Sequence, residues 1–256
     1  MAYLRGRKRQ YTEENSVRTD IDVEKLKIAY LDLEAAYREV KETQIEVILD
    51  LAIVAEYKDS DTGSHILRIS DYATELAKAI DLPQHDQDLL RYASPMHDIG
   101  KIGIPDRILQ KPDKLNPAEW EIMKQHTVIG SKMFQNSHSP ILKTASLIAL
   151  THHERYDGTG YPNGLKGETI PIFGRIVALV DVFDAIVSKR CYKSPSSLDE
   201  GIAGIVAIKG THMDPLLVEA FIKTEHSIRK IYQANLTIQK YVQETKENLP
   251  DLESFR

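Results

Sequence analysis

The sequence has little cysteine and little net charge. Cys191 is the single cysteine among 256 residues, which excludes an internal disulfide and a zinc site built from several thiolates. This fits a reducing compartment, so we expect a cytoplasmic protein. Because the net charge is −5, no general attraction for a nucleic-acid polymer is expected, and metal ions or a local basic cluster would have to hold an anionic ligand.

A long apolar run is also missing. The most apolar stretch, residues 175–187, is too short to cross a membrane and contains Asp181 and Asp184. The N-terminal residues are basic, but no apolar run follows them. We therefore expect neither a membrane span nor a signal peptide.

Helix-capping patterns, in contrast, are frequent. A capping residue stands directly before a proline at Asn116-Pro117, Ser139-Pro140 and Asp214-Pro215. Such a pair is typical of a helix start, and no hairpin dipeptide separates alternating apolar runs, so we expect an all-α fold without a sheet. The predicted helices span 22–58, 62–80, 85–97, 117–135, 140–153, 172–188, 198–209 and 215–243.

The first predicted helix carries an apolar residue at every seventh position. One seam consists of Leu26, Leu33, Val40, Val47 and Val54, and the second of Tyr30, Tyr37, Gln44 and Leu51. The pattern is compatible with one amphipathic helix lying on its own core, or with a parallel coiled coil between two chains. The tyrosines and the glutamine weaken a coiled coil. We favour a helical dimer contact near the N-terminus.

Five of the nine histidines stand beside carboxylates, glycines or each other. The set is His65, His97 with Asp98, His126, and His152 with His153. A single buried His-Asp pair is most simply a hydrogen-bonded pair in the core. The apolar run around Asp181, however, requires a cation for that carboxylate, because an unpaired buried charge is costly. Metal ligation accounts for the whole set together.

These histidines and carboxylates are too many for one ion and suit two divalent metals that share a bridging carboxylate. Ligands of mixed nitrogen and oxygen type without thiolate favour iron, manganese or zinc. Paired metals of this kind support the hydrolysis of phosphate esters. The loop that follows His153, residues 154–171, is long and rich in glycine, so we expect it to be ordered and functional. Gly158 and Gly160 would allow turns with positive φ.

Four ordered motifs then resemble those of one family. They are HDIGKIGIPD (97–106), HTVIG (126–130), HHERYDGTGYPNGLKGETIP (152–171) and DVFDAIVSKRCYK (181–193). Over roughly residues 44–240 the chain resembles the HD-GYP family of cyclic di-GMP phosphodiesterases, within the HD superfamily of metal phosphohydrolases. The resemblance implies an HD-superfamily helical bundle, here with a long N-terminal helix. It also implies a centre of two or three metals, and hydrolysis of this bacterial second messenger by a metal-activated hydroxide to linear pGpG, sometimes on to GMP.

The resemblance also implies roles for individual residues. The metal ligands would be His65, His97, Asp98, His126, His152, His153 and Asp181. Asp98 would bridge two metals, and Lys101 would lie at the bound phosphate. Tyr161, Arg190 and Lys193 would hold the guanine and phosphate ends of the substrate.

Two positions depart from the family pattern. Family members with a third metal tend to have glutamate four residues before the first histidine, where this chain has the shorter Asp61. We therefore expect two ions, iron or manganese, and leave a third at Asp61 open. Cys191 replaces the proline usual between Arg190 and Tyr192, and no chemistry is assigned to it.

The expected organisation is a flexible basic tail (1–20), an N-terminal helix for dimerisation or linkage (21–55), a catalytic domain (44–243) and a C-terminal tail (244–256). Two alternative functions stay open. One is a module that binds cyclic di-GMP or a partner with little turnover, and the other is hydrolysis of cyclic GMP-AMP. Expected partners are a second copy of the chain and signalling proteins of the diguanylate cyclase or receiver type.

Overall fold

The computed structural model describes residues 2–58, 64–188 and 197–235, with the side chains of 2–22 and of Tyr57 outside this description. The chain divides into two compact units, one up to Val47 and one from Ile48 onward. The helices are α1 Ala2–Tyr57, α2 Ser64–Ala79, α3 Gln84–Ala93, α4 Asp106–Leu109, α5 Pro117–Phe134, α6 Pro140–Thr151, α7 Ile172–Val187, α8 Leu198–Ala207 and α9 Pro215–Lys223. Short 3-10 turns cover Ser94–Met96, Ile99–Gly103 and Gly167–Thr169, and residues 225–235 are helical.

The prediction of an all-α fold is confirmed. The described residues contain no β-strand, and their one isolated bridge joins Lys209 to Met213. The predicted helix start at Asn116 is a capping box, where the Glu119 N–H donates to Asn116 Oδ1 at 2.9 Å and the Asn116 N–H donates to Glu119 Oε2 at 2.9 Å. Satisfying these otherwise unpaired donors stabilises the first turn of the helix. Ser139 precedes α6, but its side chain makes no capping hydrogen bond.

Three helix boundaries differ from the prediction. Helix α1 includes residues 2–20, which were expected to be a flexible tail. This stretch contains one glycine and no proline, so its residues are compatible with a helix. Helix α3 ends at Ala93 instead of residue 97, because Pro95 has no N–H to donate. The predicted helix 215–243 is interrupted at Thr224, whose hydroxyl donates to the Phe221 carbonyl at 2.8 Å.

The two ends of α1 differ in exposure. In the first unit, the predicted seam is exposed, with Leu26 at 71%, Leu33 at 68% and Tyr37 at 71%. In the second unit, Ile48 and Ala52 are buried in the core. The C-terminal end of α1 therefore enters the core of the second unit through residues outside the predicted seam, whose Leu51 and Val54 are 54% and 61% exposed.

Helices α2 and α7 contribute much of that core. Their buried residues include Ile66, Ile69, Tyr72, Leu76, Ile176, Val177, Val180 and Phe183. The Tyr72 and Phe183 rings meet edge to face with centroids 5.4 Å apart, and Phe183 also contacts Phe221 at 4.9 Å. This packing holds the polar residues of α2 and α7 opposite each other. Among the described helices, none is both long and apolar enough to cross a membrane.

Candidate metal centre

All seven predicted metal ligands lie in the described part of the chain and converge in two groups. One group consists of Asp98, His126, His152 and His153, and the other of His65, His97 and Asp181. In each group the candidate ligand atoms lie within 4.8 Å of one another. We call these the Asp98 group and the Asp181 group. The third-metal candidate Asp61 and the substrate candidates Arg190 and Lys193 lie outside the described residues.

Asp98 lies between the two groups. Its Oδ1 is 3.2 Å from His126 Nε2 and 3.5 Å from His152 Nε2, whereas its Oδ2 is 3.4 Å from His97 Nε2. One carboxylate oxygen therefore faces each group, which is the geometry that a bridging ligand requires. Burial raises the pKa of Asp98, but the charge of the Lys101 ammonium opposes burial most strongly, and the pKa lies well below its ordinary value.

The ring orientations of three histidines show which nitrogen of each ring is available to bind a ligand. The Nδ1 atoms of His97, His126 and His152 lie 3.0, 2.7 and 3.0 Å from the carbonyl oxygens of Ser94, Met123 and Ala149. Because a carbonyl only accepts, each Nδ1 must carry the proton, and each Nε2 then carries a lone pair. Within the described part of the chain, these buried Nε2 atoms make no hydrogen bond, and neither does Asp98 Oδ1.

Three buried lone pairs and a carboxylate oxygen that point at one another are costly unless a cation lies between them. The residues therefore fit a metal ion in the Asp98 group, which contains two of these lone pairs. The third, on His97, belongs to the Asp181 group, together with a nitrogen of His65 and the Asp181 carboxylate. Ligands of nitrogen and oxygen type suit iron, manganese or zinc. The cluster can hold metal, and the donor set leaves the choice among these metals open.

Irregular backbone places His97 and Asp98 at the centre. Both residues lie between the two 3-10 turns that follow α3. Gly100 then passes so close to α5 that an added Cβ would lie 1.9 Å from the His126 carbonyl oxygen. Glycine at this position allows the chain that carries Asp98 to approach His126.

His65 is held differently from the other histidines. Its Nδ1 lies 2.7 Å from Asp184 Oδ2, and its Nε2 lies 3.7 Å from Asp181 Oδ1. Burial lowers the pKa of His65, but the hydrogen bond and charge of Asp184, with the charges of Asp181 and Glu56, raise it to about 9. Asp184 in turn accepts two hydrogen bonds from Arg68. The sequence analysis did not single out Arg68 or Asp184. The signal was present, because each lies three residues after a predicted ligand, on the same face of its helix.

The predicted substrate residue Tyr161 lies beside the Asp98 group. Its ring stacks on His153 with centroids 4.8 Å apart and an interplanar angle of 28°. The ring of Trp120, on α5, lies edge to face with the Tyr161 ring, with centroids 6.1 Å apart. Trp120 is 46% exposed. The Lys124 ammonium lies 5.8 Å from the Tyr161 ring centroid. An aromatic wall with a nearby cation therefore borders the ligand atoms, and Trp120 is a part of it that the sequence analysis did not identify.

Lys101, which was predicted to lie at the bound phosphate, is beside Asp98. Its Nζ is 2.8 Å from Asp98 Oδ2. The structure therefore places this ammonium next to the carboxylate that faces both groups.

A buried glutamate anchors the glycine-rich loop. Glu154 is 2% exposed, and its carboxylate accepts hydrogen bonds from the backbone N–H groups of Asn163 at 2.7 Å and Leu165 at 2.9 Å. The sequence analysis did not identify this role. Gly158 has the expected positive φ of 88°, but the expectation for Gly160 is wrong. Gly160 is needed for close approach instead, because an added Cβ would lie 2.2 Å from the Arg155 nitrogen.

The helical fold and the two groups of His and Asp residues define a class of helical proteins with a candidate metal centre, and comparison with known proteins gives the family. The HD domain family matches residues 44–217, and the chain belongs to this family. The resemblance drawn from the sequence motifs is thus confirmed at the level of the family.

Several curated proteins are similar to this chain. The chain is 46% identical over 200 residues to a cyclic di-GMP phosphodiesterase of Thermotoga maritima, covering 78% of this chain and 54% of that protein. It is 42% identical over 185 residues to the 3'3'-cGAMP-specific phosphodiesterase 2 of Vibrio cholerae, covering 72% and 35%. It is 41% identical over 197 residues to the cyclic di-GMP phosphodiesterase response regulator RpfG of Xanthomonas campestris, covering 77% and 52%. The chain spans about half the length or less of these three relatives.

A solved structure supports the fold alone. A crystal structure of a cyclic GMP-AMP-specific phosphodiesterase of V. cholerae superimposes with a TM-score of 0.59 at 19% identity. The match covers 82% of this chain and 54% of that chain.

Proposed function

We propose that residues 44–243 form a catalytic domain that hydrolyses cyclic di-GMP to linear pGpG, with GMP as the alternative end product. The observation that carries this proposal is the pair of ligand groups that share the Asp98 carboxylate, with one oxygen facing each group. The names of relatives that are 46% and 41% identical support cyclic di-GMP as the substrate.

The Asp98 and Asp181 groups would each hold one divalent cation, and among the metals that these ligands accept we propose iron or manganese. Such a pair supplies a nucleophilic hydroxide at neutral pH and neutralises charge on a phosphodiester. Asp61 would add a third ion only if its shorter side chain reaches the site. Metal analysis of protein purified without oxygen decides between two and three ions, and an Asp61→Ala variant with unchanged metal content excludes the third.

The surrounding side chains would bind and orient the dinucleotide. The Lys101 ammonium, next to Asp98 Oδ2, would stabilise the negative charge that builds up on the phosphate oxygens during attack. The exposed edge of the Tyr161 wall would accept a purine ring by stacking. Arg190 and Lys193 would hold the second phosphate. Addition of one water to one phosphodiester, with the 3′-oxygen as leaving group, yields the linear product.

The test is a product assay with protein loaded anaerobically with iron or with manganese. We expect linear pGpG from the wild-type protein and none from His97→Ala. The matched control is His85→Gln, which removes an exposed histidine remote from the ligand set, and it should retain full activity. Tight binding of cyclic di-GMP without any product in either metal form would contradict the proposed hydrolysis. It would show instead that the domain is a binding module.

Hydrolysis of 3'3'-cGAMP is a second candidate function, because a relative that is 42% identical bears that name. Rates measured side by side on the two dinucleotides decide between them. A kcat/KM for 3'3'-cGAMP that exceeds the value for cyclic di-GMP would make 3'3'-cGAMP the preferred substrate.

The exposed seam of the first unit would join two copies of the chain. Leu26, Leu33 and Tyr37 repeat at coiled-coil spacing and are each about 70% exposed. We expect light scattering to give twice the chain mass of 29.0 kDa. Leu33→Asp should yield the monomer, whereas Arg38→Asp, outside the seam, should leave the dimer intact. A wild-type monomer at all concentrations would exclude this contact. Signalling partners of the diguanylate cyclase or receiver type would then act on this dimer.

A further inference from the structure

A buried ion pair on α2 and α7 supports one ligand group from outside. Asp184 is 1% exposed, and both of its oxygens accept hydrogen bonds from Arg68, at 2.6 Å from Nε and 2.8 Å from Nη2. Ser188 Oγ bridges the pair, because it accepts from Arg68 Nη2 at 2.9 Å and donates to Asp184 Oδ2 at 3.1 Å. Arg68 thus fixes both oxygens of the Asp184 carboxylate.

The pair contacts a predicted ligand at one atom. Asp184 Oδ2 lies 2.7 Å from His65 Nδ1, and a carboxylate that already pairs with arginine only accepts. The Nδ1 atom therefore keeps its proton, and Nε2, which faces Asp181, is the nitrogen that would release its proton and bind a metal. His65 and Arg68 are three residues apart on α2, as are Asp181 and Asp184 on α7, so one helical face carries both ligand and support.

The two ligand groups differ in this support. His126 and His152 hold their rings through backbone carbonyls within their own helices, which no side-chain substitution removes. The ring of His65 depends on a side chain from another helix. Because Arg68 balances the charge of Asp184, the pair fixes the ring without adding net negative charge near the metal.

We propose that Asp184, held by Arg68 and Ser188, is a positioning residue for His65, and that it strengthens metal binding in the Asp181 group without acting on the Asp98 group. The proposal rests on metal binding at these groups, not on the choice of substrate. Loss of a supporting partner of this kind costs about 10- to 100-fold in metal affinity.

The test is calorimetric titration of metal-free protein with manganese, which reads binding without turnover. For Asp184→Asn we expect one of two sites to weaken by about 10- to 100-fold and the other to change by less than about twofold. Equal weakening of both sites, or no change in either, would overturn the proposal. Failure of the enzyme to cleave cyclic di-GMP would leave this result untouched, so the two proposals fail separately.

A double-mutant cycle with His65→Gln separates positioning from general stability. If Asp184 acts through His65, Asp184→Asn should cause no further loss of affinity in the His65→Gln background. A loss that adds to that of His65→Gln would show that Asp184 acts by another route.

Asp214 offers a matched control. It is 4% exposed, pairs with Arg175 and contacts none of the ligands, so Asp214→Asn also breaks a buried ion pair. We expect Asp214→Asn to lower thermal stability and leave both metal affinities unchanged. If Asp184→Asn does not fold, Ser188→Ala decides, because it removes one bridging hydrogen bond. It should weaken the same single site by about two- to tenfold, and an unchanged affinity would contradict the proposal.

Discussion

The Asp98 group and the Asp181 group offer the same kinds of ligand atom but are built differently. His126 and His152 rest on carbonyls of their own helices, and His153 rests on the Tyr161 ring. In the Asp181 group, His65 rests on a carboxylate from another helix. Because His97, the other histidine of the Asp181 group, also rests on a nearby carbonyl, that of Ser94, the difference lies at His65, which is oriented by the packing of α2 against α7. The comparison teaches that one metal centre can combine histidines oriented by local backbone with a histidine oriented by tertiary contacts.

The largest effect should come from the residue that the two groups share. Asp98→Ala removes the oxygens that face both groups, so we expect both metals to be lost. The value of kcat/KM for cyclic di-GMP should fall by about 10³-fold or more, the upper order seen on loss of one preorganised electrostatic group. Metal analysis and product assays measure this. Retention of one tightly bound metal would show that Asp98 belongs to a single group.

Removal of a ligand from the Asp98 group should leave metal binding by the Asp181 group largely intact. His126→Gln should weaken one site by at least about 100-fold, the upper value for loss of a mere supporting partner. Manganese affinity at the remaining site should stay within about tenfold, because the Asp184 support of His65 is untouched. Simultaneous loss of both sites would mean that the groups are not separable.

The stability of the metal-free protein should depend on pH with opposite signs within the Asp181 group. Burial chiefly lowers the pKa of His97 to about 4, so its stabilisation is complete above about pH 6.5 and is lost as the pH falls toward 4. The pKa of His65 is raised to about 9, so its stabilisation is complete below about pH 6.5 and is lost as the pH rises through 9.

The free energy of unfolding in the presence of a chelator should therefore be highest near pH 6.5. Urea denaturation between pH 4.5 and 9.5 measures it, and His65→Gln should remove the decrease on the alkaline side. Stability that still rises from pH 6.5 to 9 would contradict the assigned environment of His65.

A smaller effect is expected at the wall of the Asp98 group. Tyr161→Ala removes the ring that stacks on His153, and we expect KM to rise about tenfold, since base stacking contributes about 1–3 kcal/mol per base. Tyr161→Phe keeps the ring and should change KM by less than about threefold. Equal effects of the two substitutions would assign the role to the hydroxyl.

The smallest effect should be a change in the fluorescence of Trp120. Trp120 is the single tryptophan and lies 6.1 Å from Tyr161, so cyclic di-GMP bound along that wall should change its fluorescence. GMP at the same concentration should change the emission less. An unchanged emission at saturating dinucleotide would place the substrate elsewhere.

Much of the fold was predictable because its signals are local. The capping box at Asn116 and the start of α5 depend on residues three apart in the chain. The end of α3 was less predictable, because Pro95 interrupts a stretch that is otherwise suited to a helix. The continuation of α1 to Ala2 was not predicted, because polar residues are compatible with either a tail or a helix.

The sequence by itself determined which side chains could bind metal. Adjacent His-Asp and His-His pairs, and a carboxylate in the apolar run of α7, are costly without a cation, and this cost is visible in the order of the residues. Only the tertiary structure decided how they are divided. The two groups, the position of Asp98 between them and the Arg68–Asp184 support depend on distances between helices far apart in the chain. Those distances result from the packing of α2, α5, α6 and α7, which residue order alone does not state.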